Sequence, residues 1–444
     1  MNESPLLQGE TVLVAVLLSG LVLLWAVKRL QRSRADMSIG LPLTTAFGIR
    51  LLAIVGIAAT GLQGSLRGGD ETTFMDLARF LANSPFGHGF FPHGRYALHV
   101  VVFALQIKFG DFTEGAIRVT QVGISMLGVL LLVAAVHDLA GGRASRRLMW
   151  ILAFEPASIF FNSILHKEPL MLLGTGLVVF GATKVWQRLD YRGVAIMALG
   201  GLIAVETRPY AGWFLVSAGV LVILHASLRR LDAPLKAMPL VYAVVIAGFI
   251  AAPAIVQVTS HKSLQTLQQS QDANTNPGGS GAGGGANGNN LALDKVNFST
   301  RGAVFSNLPG RMLDVIFRPY PWQVANRSQQ LGAIGSLFAM AGLALLIGAL
   351  WRRRGHILAD VGPILYPMLF LLMAYSLSAG NAGTGFRYRT HLVTLGFAMM
   401  MVLRARAAAA LAPATTAVAG PENAAAKTSI SGAPEWASHA QRGA

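Results

Sequence analysis

The sequence predicts an all-α polytopic membrane protein with about 11 transmembrane helices and with interfacial helices in the first outer loop. Hydrophobic residues make up 53% of the 444 residues and charged residues only 13%, against about 25% in an average soluble domain. The mean hydropathy is +0.52. A soluble protein of this length would divide into roughly two or three domains and would need more charge to coat their surfaces. The composition therefore excludes a soluble enzyme and a disordered chain.

The charge balance is strongly basic, with 36 Lys and Arg against 20 Asp and Glu and a formal net charge of +16. In a membrane protein, positive charge of this kind lies mostly in cytoplasmic loops, so no nucleic-acid partner is predicted. Cysteine is absent, which excludes disulfides, thiolate catalysis and cysteine-based metal sites.

The predicted spans are apolar runs separated by short polar turns. The first, 11–27, is predicted to be retained, because Glu3 and Glu10 precede it and a secretory signal needs a positive segment there. Several runs are shorter than the ~20 residues of a straight crossing, and those beside Pro169 and Pro209 are expected to bend or to stop short. The ten spans after the first are 44–62, 116–138, 148–165, 169–187, 193–207, 210–228, 238–258, 330–350, 357–379 and 391–403.

Short runs of Lys and Arg alternate with poorer loops along the chain. The positive-inside rule then predicts a multi-pass protein of a bacterial inner membrane, with its N-terminus outside and its C-terminus in the cytoplasm. The membrane domain is predicted to cover 1–406. Residues 407–444, rich in Ala, Ser, Thr and Pro, are predicted to form a disordered cytoplasmic tail. The basic runs are 28–34, 143–147, 184–192, 229–236, 352–354 and 404–406.

Two outer loops are predicted to be large. The first, 63–115, contains an amphipathic helix and a short apolar segment, 97–109, both expected to lie in the membrane interface rather than to cross the bilayer. The second, 259–329, contains the Gly-rich stretch 277–290, which cannot pack a core and is predicted to be a flexible linker. The apolar face of the amphipathic helix is formed by Phe74, Leu77, Ala78 and Leu81.

Two sets of acidic residues are candidate catalytic groups at the predicted outer face. Asp70 and Glu71 follow the second span, and a solvated pair in a loop is the alternative interpretation. His166, Lys167 and Glu168 interrupt an apolar run between two spans. Ionisable groups are costly near hydrocarbon and usually mark a site, although an ordinary tight turn at the membrane surface also explains them.

Arginines at outer turns are candidate phosphate ligands, because a guanidinium grips phosphate through two parallel hydrogen bonds. Arg208 could instead pair with Glu206, and arginines beside aromatic residues could be snorkelling anchors. Arg387 and Arg389 share a face only on an extended segment, which the glycines of the preceding NAGTG favour. The predicted substrate-binding set is His166, Lys167, Arg208, Arg318, Trp322, Arg387 and Arg389, with Tyr320 and Tyr388 as further aromatic faces.

No cofactor is predicted. The chain has no Gly-rich loop of the kind that cradles nucleotide phosphates, so pumping driven by ATP is not expected. Glu155 is an intramembrane acid, and the neighbouring Pro156 suggests a helix kink there. No divalent metal is indicated, because the spacing of the histidines forms no ligand cluster: His88, His93, His99, His166, His261 and His391.

Two groups of segments resemble known families. GGDETTFMDLARFLA, GRYALHVVVFALQIKFGD and AIRVTQVGISMLGVLLLVAAVHDLAGG are similar to the N-terminal third of GT-C superfamily glycosyltransferases, such as protein mannosyltransferases and bacterial lipid-linked-sugar transferases. FRPYPWQ and NAGTGFRYR resemble segments of exopolysaccharide-locus membrane proteins. An additional N-terminal span precedes the family's usual first one, and the family's large soluble C-terminal domain has no counterpart here.

The resemblance implies a GT-C-like fold and a membrane glycosyltransferase. The donor would be a polyprenyl-phosphate sugar, and the acceptor a glycan, a lipid or a protein. The family's acidic positions match Asp70 or Glu71 and Glu168, which would supply the general base and a second acid. The outer arginines would hold the leaving lipid phosphate. Such transfer would serve cell-surface glycan or exopolysaccharide assembly.

Two other functions stay open from the sequence. A polymerase of O-antigen or exopolysaccharide repeat units would also use a large outer loop and outer arginines, and the 259–329 loop favours it. A transporter of lipid-linked glycans is the third reading. It would require polar residues on broken helices near the midplane, where only Glu155 is a candidate.

Overall fold

The structure, a computed structural model, describes residues 5–59, 68–85, 97–230, 300–318, 320, 327–379 and 382–411, together with a few single residues between 238 and 297. Within these ranges the chain forms α-helices and no β-strand. The helices of the first half are α1 Pro5–Gln31, α2 Gly40–Ala59, α3 Gly68–Asn83, α4 Leu98–Gly110, α5 Glu114–Ala140, α6 Gly142–Ala153 and α7 Pro156–Asn162. Those of the second half are α8 Glu168–Arg188, α9 Tyr191–Thr207, α10 Pro209–Leu228, α11 Arg301–Phe317, α12 Arg327–Arg352, α13 Ile357–Ser378 and α14 Ala382–Leu411.

Eight helices in the described part of the chain are long and apolar enough to cross a membrane. They are α1, α2, α5, α8, α10, α12, α13 and α14, and they correspond to eight of the eleven predicted spans. A polytopic helical membrane protein is therefore the architecture that the length and composition of these helices support.

The other three predicted spans have different outcomes. The run 148–165 is not one helix, because Glu155 caps the start of α7 and Pro156 occupies its first turn, which separates α7 from α6. The run 193–207 is α9, a single helix of 17 residues. The run 238–258 lies almost wholly outside the described residues.

The core is built around α5 and α8, which are the most enclosed of the candidate spans. Glycines let these helices approach their neighbours closely. A Cβ atom on Gly128 of α5 would lie 2.6 Å from the carbonyl oxygen of Leu172 on α8, and one on Gly174 of α8 would lie 2.8 Å from that of Gly200 on α9. Small residues at such crossings replace side-chain packing with backbone contact. The helix that begins at Glu168 is thereby held firmly in place.

Helices α3 and α4 pack together beside this core. Their shared cluster includes Met75, Ala78, Leu81, Phe103 and, from the turn before α8, Leu165. The amphipathic helix predicted in this segment is present as α3, but its buried face differs from the predicted one. Leu77 is 36% exposed, and Met75 takes the buried position.

Two predicted segments, the Gly-rich linker and the C-terminal tail, can be compared with the structure only in part or not at all. The Gly-rich linker 277–290 lies outside the described residues. Helix α14 continues to Leu411, past the predicted end of the membrane domain at 406, and the remainder of the predicted tail is not described.

Candidate functional site

Two helix starts with proline place the main charged residues of the site. Pro169 follows Glu168 in the first turn of α8, and Pro209 follows Arg208 at the start of α10. Proline fits the first turn because its missing N–H would have no helical partner there. Glu168 consequently sits where the partial positive charge of a helix N-terminus favours a carboxylate.

Glu168 is the centre of a buried polar cluster. Its side chain is fully buried, with Oε1 2.9 Å from Arg208 Nη2 and Oε2 2.9 Å from His166 Nδ1. A buried carboxylate is stable only with such partners. Arg208 therefore pairs with Glu168, and the alternative pairing with Glu206 is not formed, since Glu206 is exposed.

Arg387 joins the cluster from the first turns of α14. Its Nη1 donates a hydrogen bond of 2.9 Å to His166 Nε2. A guanidinium has no acceptor atom, so His166 Nε2 must accept and the ring proton must lie on Nδ1, which faces Glu168. Glu168, His166 and Arg387 thus lie in series, with a close Oε2–Nδ1 approach that does not meet hydrogen-bond geometry on one side of the imidazole and a hydrogen bond to the guanidinium on the other.

Tyrosines from three helices form one wall of the site. The Arg208 guanidinium carbon lies 4.5 Å from the centre of the Tyr388 ring, a cation–π geometry. Tyr388 stacks on Tyr375 with centroids 4.4 Å apart, and its hydroxyl lies 2.7 Å from that of Tyr210. Arg208 Nη1 is buried and has no hydrogen-bond partner among the described residues. The cluster therefore holds a cationic donor that an anionic ligand could use.

Side chains from α3 and α4 form another wall of the site, next to His166. The Phe74 ring contacts His166 edge-on, with centroids 5.9 Å apart, and His99 at 4.5 Å. The Lys167 ammonium lies 5.2 Å from the centre of the same ring. His99 is fully buried, and neither of its ring nitrogens has a hydrogen-bond partner within the described part of the chain. Burial, and secondarily the Lys167 charge, holds the pKa of His99 well below its usual range, so this imidazole is neutral.

Glu71 lies in a second ion pair beside the cluster rather than in it. Its Oε1 is 2.7 Å from Arg118 Nη2 and accepts a 2.8 Å hydrogen bond from the backbone N–H of Leu165. These contacts tie α3 to α5 and to the turn that carries His166. Asp70 lies in the first turn of α3, and its side chain is outside what the structure describes.

Arg389 points away from the cluster. Its Nε donates a 3.1 Å hydrogen bond to the carbonyl of Val315, and another of its nitrogens donates to the carbonyl of Arg318, so it caps the last turn of α11. Arg318 itself pairs with Asp314 at 3.1 Å. The extended segment predicted for Arg387 and Arg389 is wrong, because both residues lie within α14. Trp322 lies outside the described residues.

The sequence missed several residues of the site, among them Tyr210, His99, Tyr375 and His391. The Tyr375 hydroxyl lies 3.2 Å from His391 Nδ1, and His391 Nε2 lies 3.4 Å from the backbone carbonyl of Glu168. No sequence signal marked these last two, because Tyr375 lies within an apolar span and His391 is one of several histidines with no common spacing. No metal is placed by the described residues, which hold no group of three or more His, Asp and Glu side chains suited to one.

Comparisons of this chain with protein-family models, with curated proteins and with solved structures found no match.

Proposed function

We propose that this protein is a membrane glycosyltransferase. It moves a sugar from a polyprenyl-phosphate donor to an acceptor at the outer face of a bacterial inner membrane, in the assembly of cell-surface glycan or exopolysaccharide. The observation that carries the proposal is a pair of guanidinium groups, the buried Arg208 held on Glu168 and the half-buried Arg387 held on His166.

The charges of the cluster support an anionic substrate. The guanidinium groups of Arg208 and Arg387 and the ammonium of Lys167 lie in or beside the cluster, and Nη1 of the buried Arg208 has no hydrogen-bond partner among the described residues. A buried charged donor is costly to leave without an acceptor, which favours an anionic ligand at this position. Arginine is suited to a phosphate because its planar fork matches the oxygens.

The chemistry of glycosyl transfer uses the same groups. When a sugar leaves a lipid phosphate, negative charge develops on the phosphate oxygens, and preorganised cations stabilise that charge. Tyr388 and Tyr375 offer aromatic faces beside these cations. The acceptor hydroxyl also needs a positioned base, for which the resemblance to GT-C glycosyltransferases implies Asp70.

The location of the site supports a lipid-linked substrate. Glu168, Arg208 and Arg387 lie at the ends of the candidate spans α8, α10 and α14. A phosphate headgroup of a membrane lipid reaches this level of the bilayer while its chain stays among apolar side chains. The positive-inside rule assigns this end of the bundle to the outer face.

The test is transfer by the purified full chain in nanodiscs. Undecaprenyl-phosphate sugars serve as donors, and mass spectrometry detects both the released undecaprenyl phosphate and the glycosylated acceptor in a membrane-glycan extract. We expect transfer by the wild type and none by Arg387→Ala. Transfer by neither, with every donor, would contradict the proposal. A ladder of repeat units in place of single additions would identify the polymerase function instead.

A transporter of lipid-linked glycans is a second candidate, favoured by one observation. The helical segment made of α6 and α7 is broken at Glu155, and Arg50 from α2 reaches the break through hydrogen bonds to the Leu152 carbonyl and the Ser158 hydroxyl. Broken helices with buried charge occur at transport sites. Movement of a fluorescent undecaprenyl-phosphate lipid between leaflets of proteoliposomes, without any change in its sugar, would favour this function.

A further inference from the structure

The arrangement of Glu168, His166 and Arg387 is that of a general base whose proton-accepting nitrogen is blocked. In acid–histidine pairs that act as general bases, a carboxylate holds the imidazole in one tautomer and leaves the other nitrogen to take a proton. Here Glu168 Oε2 lies 2.9 Å from His166 Nδ1, and His166 Nε2 has its lone pair directed at Arg387 Nη1 at 2.9 Å. The nitrogen that would take a proton is therefore occupied by a cation.

We propose that His166, in place of the Asp70 that the resemblance implies, is the general base of the transfer and that Arg387 keeps it inactive until the lipid phosphate binds. This inference rests on the proposed function. When the phosphate enters, Arg387 exchanges the imidazole for a phosphate oxygen, which is a charged and therefore stronger acceptor. His166 Nε2 is then exposed to the acceptor hydroxyl. Binding of the donor thus both supplies the leaving group and releases the base.

The reaction step balances without any further reactant. The proton of the acceptor hydroxyl passes to His166 Nε2 as the acceptor oxygen forms a bond to the anomeric carbon. The bond from that carbon to the phosphate oxygen breaks, and its electron pair stays on the phosphate. Arg387 and Arg208 hold the added charge, while Glu168 stabilises the imidazolium that forms. The proton later leaves His166 to water.

The carboxylates of the described site are poorly suited to act as the general base. Both Glu168 oxygens face cationic or proton-bearing partners, Arg208 and His166. Glu71 is paired with Arg118. The charged and titratable groups that surround His166 are Lys167 and Glu168 on its own segment, Arg208 at the start of α10, Arg387 on α14 and His99 on α4. Arg387 contacts Nε2 through a hydrogen bond of 2.9 Å.

The first test measures the tautomer and needs no turnover. Histidine-selective ¹⁵N NMR of the full chain in nanodiscs, with His166→Gln to identify the signal, should show His166 protonated on Nδ1 and unprotonated on Nε2. Addition of undecaprenyl phosphate should shift the Nε2 signal, and Arg387→Ala should shift it without ligand. A proton on Nε2 in the ligand-free protein would overturn the proposal. So would an Nε2 signal that does not shift when undecaprenyl phosphate binds.

The second test separates a base from a binding residue. Glutamine at position 166 can still accept a hydrogen bond from Arg387 but cannot take a proton. We expect His166→Gln to lower kcat by about 10²- to 10⁴-fold and to remove the acid limb of the pH profile, while the Kd for undecaprenyl phosphate changes by less than about threefold. His225→Gln, at the far end of α10 and bonded to Tyr366, should retain wild-type kcat.

Three results would contradict the assignment. They are an unchanged kcat in His166→Gln, a loss explained wholly by weaker donor binding, or an acid limb that survives in His166→Gln and disappears in Asp70→Asn. If the wild type transfers no sugar, the proposed function itself fails. The NMR experiment then decides separately whether Arg387 releases His166 when phosphate binds.

Discussion

Arg208 and Arg389 are both buried arginines, but they use their donors differently. Arg208 binds Glu168 with one nitrogen and has another, Nη1, without a hydrogen-bond partner among the described residues. Arg389 donates to Ser336 and to carbonyls at the end of α11, so its guanidinium serves the protein's own backbone. We infer that Arg208 faces the ligand and that Arg389 is structural.

This difference predicts opposite effects of Arg→Lys changes. Arg208→Lys keeps the charge but loses the fork that reaches both Glu168 and a phosphate, so the affinity for undecaprenyl phosphate should fall by about tenfold or more, the loss of one charged hydrogen bond. Arg389→Lys should leave that affinity unchanged and lower the melting temperature. Titrations in nanodiscs and thermal unfolding in detergent measure the two. Equal affinity in both variants would remove Arg208 from the phosphate site.

Glu168→Gln should be costly for stability as well as for activity. It removes the charge that holds the buried Arg208 and His166, and breaking a buried pair typically costs about 3–5 kcal/mol. We expect lower thermal stability in detergent and loss of transfer. Glu206→Gln changes an exposed acid of the adjacent helix end and is the matched control. A stable and active Glu168→Gln protein would show that the Glu168 carboxylate is not needed to hold Arg208 and His166 in place.

At the scale of elements, the site depends on how closely α8 fits between α5 and α9. Gly128→Ala would place a Cβ atom 2.6 Å from the Leu172 carbonyl oxygen on α8, so the helices would have to separate. Overpacking of this kind costs about 1–3 kcal/mol. Gly348→Ala on α12 has open space around the new Cβ and should be silent. Thermal unfolding of both variants in the same detergent tests the prediction, which fails if they melt together.

The short helices α6 and α7 show that hydropathy alone can miss a break between two helices. Their apolar run reads as one span, yet Glu155 accepts a hydrogen bond of 3.1 Å from the N–H of Ala157 and so begins a new helix. Similarly, NAGTGFRYR has poor helix propensity at its start, but α14 begins at Ala382 because packing overrides propensity. Helix α14 therefore directs Arg387 and Arg389 towards different neighbours.

At the scale of the whole molecule, the prediction to be tested is the orientation of the helix bundle in the membrane. The alternating basic runs predict that an alkaline phosphatase fusion after residue 285 is active and that one after residue 145 is inactive. The assay is phosphatase activity of whole cells, with fusion levels compared by immunoblot. The reverse pattern at both sites would place Glu168 and Arg208 at the cytoplasmic face. It would thereby exclude a donor that enters from the outer leaflet.

The sequence by itself determined the class of architecture and most of the candidate spans. Length and hydropathy are local properties, and a helix that crosses a bilayer must satisfy its backbone within one apolar run. The sequence also singled out His166, Glu168, Arg208 and Arg387, because ionisable residues between apolar runs are unusual.

Only the tertiary structure decided which of these residues meet. Arg208 reaches Glu168 across 40 positions of sequence, and Arg387 reaches His166 across 221. No local sequence pattern encodes these contacts, since they follow from the packing of α8 on α5 and α9 through small residues and from where the folded bundle places α14. The same packing assigned Glu71 to Arg118 and Arg389 to the end of α11. Partner choice among buried charges is thus a property of the folded bundle, because each charge must find whichever opposite group or carbonyl the helices bring to it.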